Sequence, residues 1–234
     1  MNKSIYICLS PDLVHLYDLK GKIVVIVDIL RATSCITTGL AHGVRSITPY
    51  ESLEECKSMK QKGYYIAGER GGRKVNGFDI GNSPYSYMEP HLKDQKIALT
   101  TTNGTRAIEK SNDAEKIIIG AFLNLSAVEN YLRLQESDVV ILCAGWKGHI
   151  NLEDSLYAGA LALTLESEFH YTDDAVLVAK ALYKEMKGGM LHAIQNASHA
   201  KRLKKFNVIK DIEFCLTHDR YDVVPVLKNG EIMI

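Results

Sequence analysis

Short β-branched runs alternate with longer amphipathic stretches along most of this chain, and that alternation limits the folds open to it more than any other feature. Ile5–Leu9, Ile23–Val27, Ser46–Pro49, Tyr64–Ala67, Ile97–Leu99, Ile117–Ile119 and Val139–Cys143 carry the spacing and composition of strands. Helical patterns lie near Ala32–Ala41, Leu53–Lys62, Thr105–Lys110, Leu125–Leu134 and Ser155–Leu165. Alternation of this kind predicts an α/β fold, a sheet covered by helices on its faces. Beyond Asn151 the pattern stays helical to Leu216, through Leu177–Lys187 and Leu191–Ala197, and the last strands, Val223–Leu227 and Ile232–Ile234, flank an Asn229-Gly230 pair suited to a type I′ hairpin. No linker, repeat or low-complexity segment interrupts the 234 residues, so a single domain over 1–234 is expected.

Ligands of such sheets collect beyond the carboxyl ends of strands, where helix N-termini turn their amides outward. The polar motifs stand at those places. Val24-Val25-Ile26-Val27-Asp28-Ile29-Leu30-Arg31-Ala32-Thr33-Ser34 runs an apolar strand into an acid, a base and two hydroxyls. A metal and a phosphoryl group fit there, although Asp28 as a simple helix cap is the plainer reading of that junction alone. Ala67-Gly68-Glu69-Arg70-Gly71-Gly72-Arg73-Lys74 gathers a carboxylate, three cations and three glycines, and guanidinium forks bind flat-faced oxyanions in two places at once. Gly81-Asn82-Ser83-Pro84 offers Ser83 as an N-cap and a backbone nest for an anion. Thr100-Thr101-Thr102-Asn103-Gly104-Thr105-Arg106 is a second strand-to-helix junction with hydroxyls, free amides and a cation. Cys143-Ala144-Gly145-Trp146-Lys147-Gly148, followed by Asn151-Leu152-Glu153-Asp154-Ser155, is a third, where one of two acids completes the carboxylate set that a hard cation such as Mg²⁺ needs.

The global balance leaves any anion site local. The 28 basic and 28 acidic residues cancel, which argues against a nucleic-acid partner or an anionic membrane, and the basic Lys201-Arg202-Leu203-Lys204-Lys205 segment reads as a solvated helix face. Cys8, Cys35, Cys56, Cys143 and Cys215 are odd in number, far apart and without zinc-ligand spacing, as reduced thiols are. The apolar run after Met1 is broken by Pro11 and Asp12, too early for a signal peptide, and no run approaches a membrane span, so a cytoplasmic protein is expected. Known phosphate machinery is missing: no DxDxT follows the first acid, and there is no GxxxxGK[ST], no Cys-x5-Arg loop and no GxGxxG.

Taken together, VDILRATS, AGERGGRKVNGFDIGNSP, TTNGTRAI, CAG…NLEDSLYAG and the SxH…DIxFCLxxD…VP stretch resemble the 2-phosphosulfolactate phosphatase family. The blocks stand in the family's order from about Ile23 to Pro225. The resemblance implies a three-layer α/β/α fold around a mixed, mainly parallel sheet, and a Mg²⁺-dependent phosphatase that converts 2-phosphosulfolactate to sulfolactate and phosphate on a route to coenzyme M. It matches Asp28, Arg31, Glu69, Arg70, Asn82, Ser83, Thr102, Asn103 and Asp154 to the family's motifs, and its type carries the expectation of a homodimer.

On that footing Asp28, Arg31, Glu69 and Asp154 are the expected catalytic residues, with Mg²⁺ held from among Asp28, Glu69 and Asp154. Ser34, Arg70, Arg73, Lys74, Asn82, Ser83, Thr102, Asn103, Gly104 and Thr105 are the expected substrate contacts, with Arg70, Arg73 and Lys74 reading the sulfonate and carboxylate end. The attacking group is either water or Asp28, with water preferred because no second acid stands two residues after Asp28. Two other readings stand beside this one: a phosphatase of other 2-phospho acids, such as phosphoglycolate or phospholactate, and a phosphate or sulfonate binding module without turnover.

Overall fold

The computed structural model describes residues 3–198, 201 and 209–234. Of the basic segment, Arg202, Leu203, Lys204 and Lys205 lie outside the described residues. The strands are β1 Ile5–Cys8, β2 Ile23–Val27, β3 Ser46–Pro49, β4 Tyr65–Arg70, β5 Arg73–Lys74, β6 Lys96–Thr100, β7 Lys116–Gly120, β8 Val139–Cys143, β9 Val226–Lys228 and β10 Glu231–Met233. The described α-helices are α1 Ala32–Ala41, α2 Leu53–Ser58, α3 Gly104–Glu109, α4 Leu125–Arg133, α5 Leu152–Thr164, α6 Asp174–Met186, α7 Met190–Asn196 and α8 Ile209–Cys215. One mixed, mostly parallel sheet runs β1-β8-β2-β7-β9-β10-β3-β6-β4-β5, with helices on both faces, as the three-layer α/β/α expectation requires.

The middle strands read as unbroken apolar runs because both of their faces are covered. All five residues of β2 are buried, and so are all five of β8. Successive side chains of β2 alternate between two cores: Ile23, Val25 and Val27 pack with Leu156, Leu161 and Val176, while Val24 and Ile26 pack with Ile36, Leu40 and Ala107. A third core, of Cys56, Met59, Ile66, Phe78 and Ala98, lies over β4 and β6.

The sheet bends. β6 stands five steps from β2 in the hydrogen-bonding order, about 24 Å along a flat sheet, yet the loop leaving β6 touches the residues that leave β2. A Cβ placed on Gly104 would stand 2.6 Å from Ala32 Cβ and 3.0 Å from Asp28 Oδ2. The β9–β10 hairpin stands between the two groups of parallel strands, meeting β7 at Ile118↔Val226 and β3 at Ile232↔Ile47. Asn229 and Gly230 both have positive φ, 51° and 81°, as the type I′ turn demands. The carboxyl ends of β2, β6 and β8 thereby converge.

Boundaries differ from expectation where a polar group takes part in the element. α5 begins at Leu152 rather than Ser155, because Asn151 caps it by accepting from the Asp154 amide at 3.2 Å. β4 extends to Arg70, since it continues as a hairpin into β5. No described helix is long and apolar enough to cross a membrane.

Candidate active site

Three carboxylates are buried where β2 and β8 end. Asp28 follows β2 and is 5% exposed, while Glu153 and Asp154, in the first turn of α5, are fully buried. Asp28 does not cap α1: the N-cap position is Arg31, and no side chain caps the helix there. The loop is held instead by α1's hydroxyls. Thr33 Oγ1 accepts from the Asp28 amide at 3.0 Å and donates to its carbonyl at 2.9 Å, and Ser34 Oγ donates to the Ile29 carbonyl at 2.9 Å. Ser34, an expected substrate contact, is fully buried with its hydroxyl turned to the backbone of this loop.

Asp154 clamps two loops at once. Its Oδ1 accepts from the Ile29 amide at 2.9 Å and its Oδ2 from the Gly145 amide at 3.1 Å, so one acid joins the ends of β2 and β8. Gly145 reaches it with φ of 56°, a conformation that favours glycine. Burial pushes the Asp154 carboxyl well above the ordinary range, the charges of Asp28 and Glu153 push it further, and the Ile29 amide and Asn151 pull it back.

The loop after β6 forms the facing wall. Gly104, at the start of α3, lies against Asp28 and Ala32 with no room for a side chain. Thr101 and Thr105 satisfy each other: Thr105 Oγ1 donates to the Thr101 carbonyl at 2.8 Å, and Thr101 Oγ1 accepts from the Thr105 amide at 3.2 Å. The Thr102 amide and hydroxyl face Glu69 Oε2 at 3.5 and 3.3 Å. Asn103 Oδ1 accepts from the Lys147 amide at 3.2 Å, tying this loop to the turn after β8. Of the amides at this junction, those of Thr102 and Thr105 already have acceptors within the protein. Arg106 pairs with Asp12 at 2.6 Å.

Glu69, expected beside Asp28 as a metal ligand, is occupied at its own hairpin, where Oε1 accepts from the Gly72 amide at 2.5 Å. Among the described residues no three His, Cys, Asp or Glu side chains are placed to hold one metal ion. Arg70 donates to the carbonyls of Glu69 and Glu51 and to Thr100 Oγ1, at 2.8, 3.2 and 2.9 Å, so its guanidinium braces β4 against β6. Arg73 and Lys74 are exposed on β5. Asp79 is structural: its Oδ2 accepts from the Ile66 amide at 2.9 Å, and Lys60 donates to its Oδ1 at 2.5 Å.

One participant escaped the sequence reading. Asp211, in α8, forms an ion pair with Arg31 Nη1 through Oδ2 and accepts from Ser83 Oγ at 3.0 Å through Oδ1. Ser83 precedes a 3₁₀ turn but makes no capping bond, since its hydroxyl is turned to Asp211. Beside it, Asn82 is 7% exposed and its Oδ1 has no hydrogen-bond partner among the described residues. The signal for Asp211 was an acid set among Ile212, Phe214 and Cys215, all buried; an acid in such company needs a cation.

The family model of 2-phosphosulpholactate phosphatase matches residues 8–230. The chain is 41% identical over 218 residues to a probable 2-phosphosulfolactate phosphatase of Caldanaerobacter subterraneus, covering 91% of this chain and 90% of the relative. It is 40% identical over 210 residues to a protein of the same description from Thermotoga maritima, covering 90% and 91%, and 37% identical over 233 residues to one from Clostridium beijerinckii, covering 97% of both.

Proposed function

We propose that this chain, which belongs to the 2-phosphosulfolactate phosphatase family and is a phosphoric monoester hydrolase, cleaves 2-phosphosulfolactate to 3-sulfolactate and phosphate beside Asp28. The observation that carries the siting is the burial of Asp28, Glu153 and Asp154 together at converging strand ends, next to the buried cation Arg31. Burying three acids is costly for the fold alone. Placed beside a transferring phosphoryl group they have a use.

Mg²⁺ fits this donor set, because it takes one or two carboxylates and completes its shell with water and substrate phosphate oxygens, so a ready-made three-acid cage is not required. Asp28, with Asp154 behind it, would hold the ion, and Glu69 would reach it only by leaving Gly72. Bound there, Mg²⁺ would neutralise phosphoryl oxygens. The protein's own groups do the rest. Asp28, at the mouth of the cluster, orients the attacking water and accepts its proton. Arg31 lays guanidinium N–H groups against the equatorial oxygens, where charge accumulates in the transition state. Asp154 keeps the Ile29 and Gly145 backbones at a fixed separation. Thr102, Asn103 and Asn82 line the approach, and Arg73 and Lys74 are the exposed cations for the sulfonate and carboxylate end. The product suits a route to coenzyme M.

Phosphate release from 2-phosphosulfolactate, phosphoglycolate and phospholactate, each with Mg²⁺ and with EDTA, tests this. The expected result is Mg²⁺-dependent release with the highest kcat/KM for the sulfonate. Equal rates on all three would remove the substrate assignment, and no metal-dependent release from any would remove the catalytic one.

A further inference from the structure

Arg31 and Ser83 leave two distant junctions of the chain and end on the two oxygens of one carboxylate. Asp211 is 7% exposed and Arg31 5%, and Ser83 Oγ donates to Asp211 Oδ1 at 3.0 Å while Arg31 Nη1 pairs with Oδ2. Both Asp211 oxygens are thus engaged from opposite sides, and Ser83, having given its only proton to Asp211, has none to offer an anion. Arg31 uses one guanidinium nitrogen for the pair, in a fork that carries five N–H donors. Fully buried Cys35 and Cys215 lie near enough to sense both charges, so the pair sits in a setting of low polarity.

We propose that Asp211 is a positioning residue for phosphate chemistry: with Ser83 holding its other oxygen, it fixes the plane of the Arg31 guanidinium so that the outer N–H groups meet the phosphoryl oxygens. This rests on the reading of the Asp28 region as a phosphate site, and it changes Ser83 from a substrate contact to a brace. Stability alone is a weak reason for such a pair, since buried ion pairs are commonly matched by apolar residues of similar volume. A planar donor at a transition state gains directly from a fixed orientation.

The test is a set of variants, Asp211→Asn, Ser83→Ala, Arg31→Ala and the double Arg31→Ala/Asp211→Asn, assayed on 2-phosphosulfolactate and titrated with inorganic phosphate by calorimetry. Asp211→Asn is expected to lower kcat about 10- to 100-fold, the range of other orienting partners, and to raise KM several-fold, because the same N–H groups hold the phosphoryl oxygens before transfer. Phosphate affinity is expected to fall in the same variant. In the Arg31→Ala background the same change should cost less than about 2-fold in either measurement, because there is no guanidinium left to hold. Losses that multiply across the double variant would overturn the proposal, as would an Asp211→Asn protein with unchanged kcat and phosphate binding. Should Asp211→Asn not fold, Ser83→Ala is read in its place; it keeps the ion pair and is expected to lose several-fold in kcat, and an unchanged kcat overturns the proposal. If the parent protein releases phosphate from no substrate, the phosphatase reading fails on its own and calorimetry alone judges Asp211; a parent that binds no phosphate overturns both.

Discussion

At the scale of single residues the site is a set of buried charges whose neighbours decide their use. Asp28, Glu153 and Asp154 are buried together where β2 and β8 end, and burial followed by the charges of Asp28 and Glu153 keeps the Asp154 carboxyl well above its usual range. An acid raised in this way favours the native state most below about pH 4, and that contribution drains away as pH climbs toward the raised native value. Asp28→Asn removes the largest neighbouring charge. Its expected effects are opposite in sign: phosphate release falls by about 10³-fold, while the loss of stability as pH climbs above about 4 toward the raised native value, read from urea midpoints in EDTA, becomes shallower than in the parent. Retained activity, or an unchanged slope, would return Asp28 to a structural role. Acid quench with mass analysis of Asp28 separates the two attackers; an intact, unphosphorylated Asp28 during turnover is expected for water. Asp28 and Arg31 were legible because strand, acid and base follow one another along the chain. Asp211 was not, because its meaning depends on Arg31 and Ser83, which only the folded chain brings to it.

At the scale of elements, periodicity located nearly every strand and helix, and the differences came from polar groups that periodicity does not weigh, such as the Asn151 cap that starts α5 three residues early. The same blindness hides which polar groups of these segments are already engaged within the protein. A glycine-rich hairpin and a TTNGT junction look open in sequence, yet Glu69, Arg70, Thr101 and Thr105 spend their bonding groups holding β4, β5, β6 and α3 in place. Gly104→Ala tests the close approach of α3 to Asp28. In an ordinary helix the change would add about 1 kcal/mol of stability, but here the new methyl would meet Ala32 Cβ at 2.6 Å and Asp28 Oδ2 at 3.0 Å. Lower stability and a kcat reduced at least 10-fold are expected; a more stable, fully active variant would show that the wall is not tight. Asp79 supplies the control away from the chemistry. Partial burial opposes its ionisation, but the Ile66 amide and Lys60 outweigh it and hold the carboxyl below its usual range, so its contribution is present above about pH 4 and is lost as pH falls through the lowered native value. Asp79→Asn is expected to cost about 1 kcal/mol at pH 7, less at pH 3.5, and to leave kcat within 2-fold; a deficit that grew in acid would contradict the assignment.

At the scale of the whole molecule the sheet's bend is what makes a site out of scattered junctions. Sequence pattern predicted the strands and the Asn229-Gly230 hairpin but not the strand order, because β9 and β10, last in the chain, enter the sheet between β7 and β3. Parallel pairs then lie on either side of that insertion: β1, β8, β2 and β7 on one side, β3, β6 and β4 on the other. Asp28 and Asp154 belong to the first group and Gly104 follows from the second, so the site draws on both groups, which the hairpin joins. Ile232 is the residue through which that coupling acts. It is fully buried, opposite Leu227 on β9 and Ile47 on β3, and it packs in the core that also holds Val24, Ile26, Ile97 and Leu99. Truncating it to alanine removes buried volume at the seam and is expected to cost about 2–4 kcal/mol. If the two groups fold as one cooperative unit through this seam, urea unfolding of Ile232→Ala followed by far-ultraviolet dichroism and by the fluorescence of Trp146, beside the pocket, gives coincident transitions at a lowered midpoint, and phosphate release is lost over the same range. Transitions that separate in the variant, with Trp146 changing before the bulk of the secondary structure, would mean that the halves are stable apart and that the hairpin serves the pocket rather than the fold.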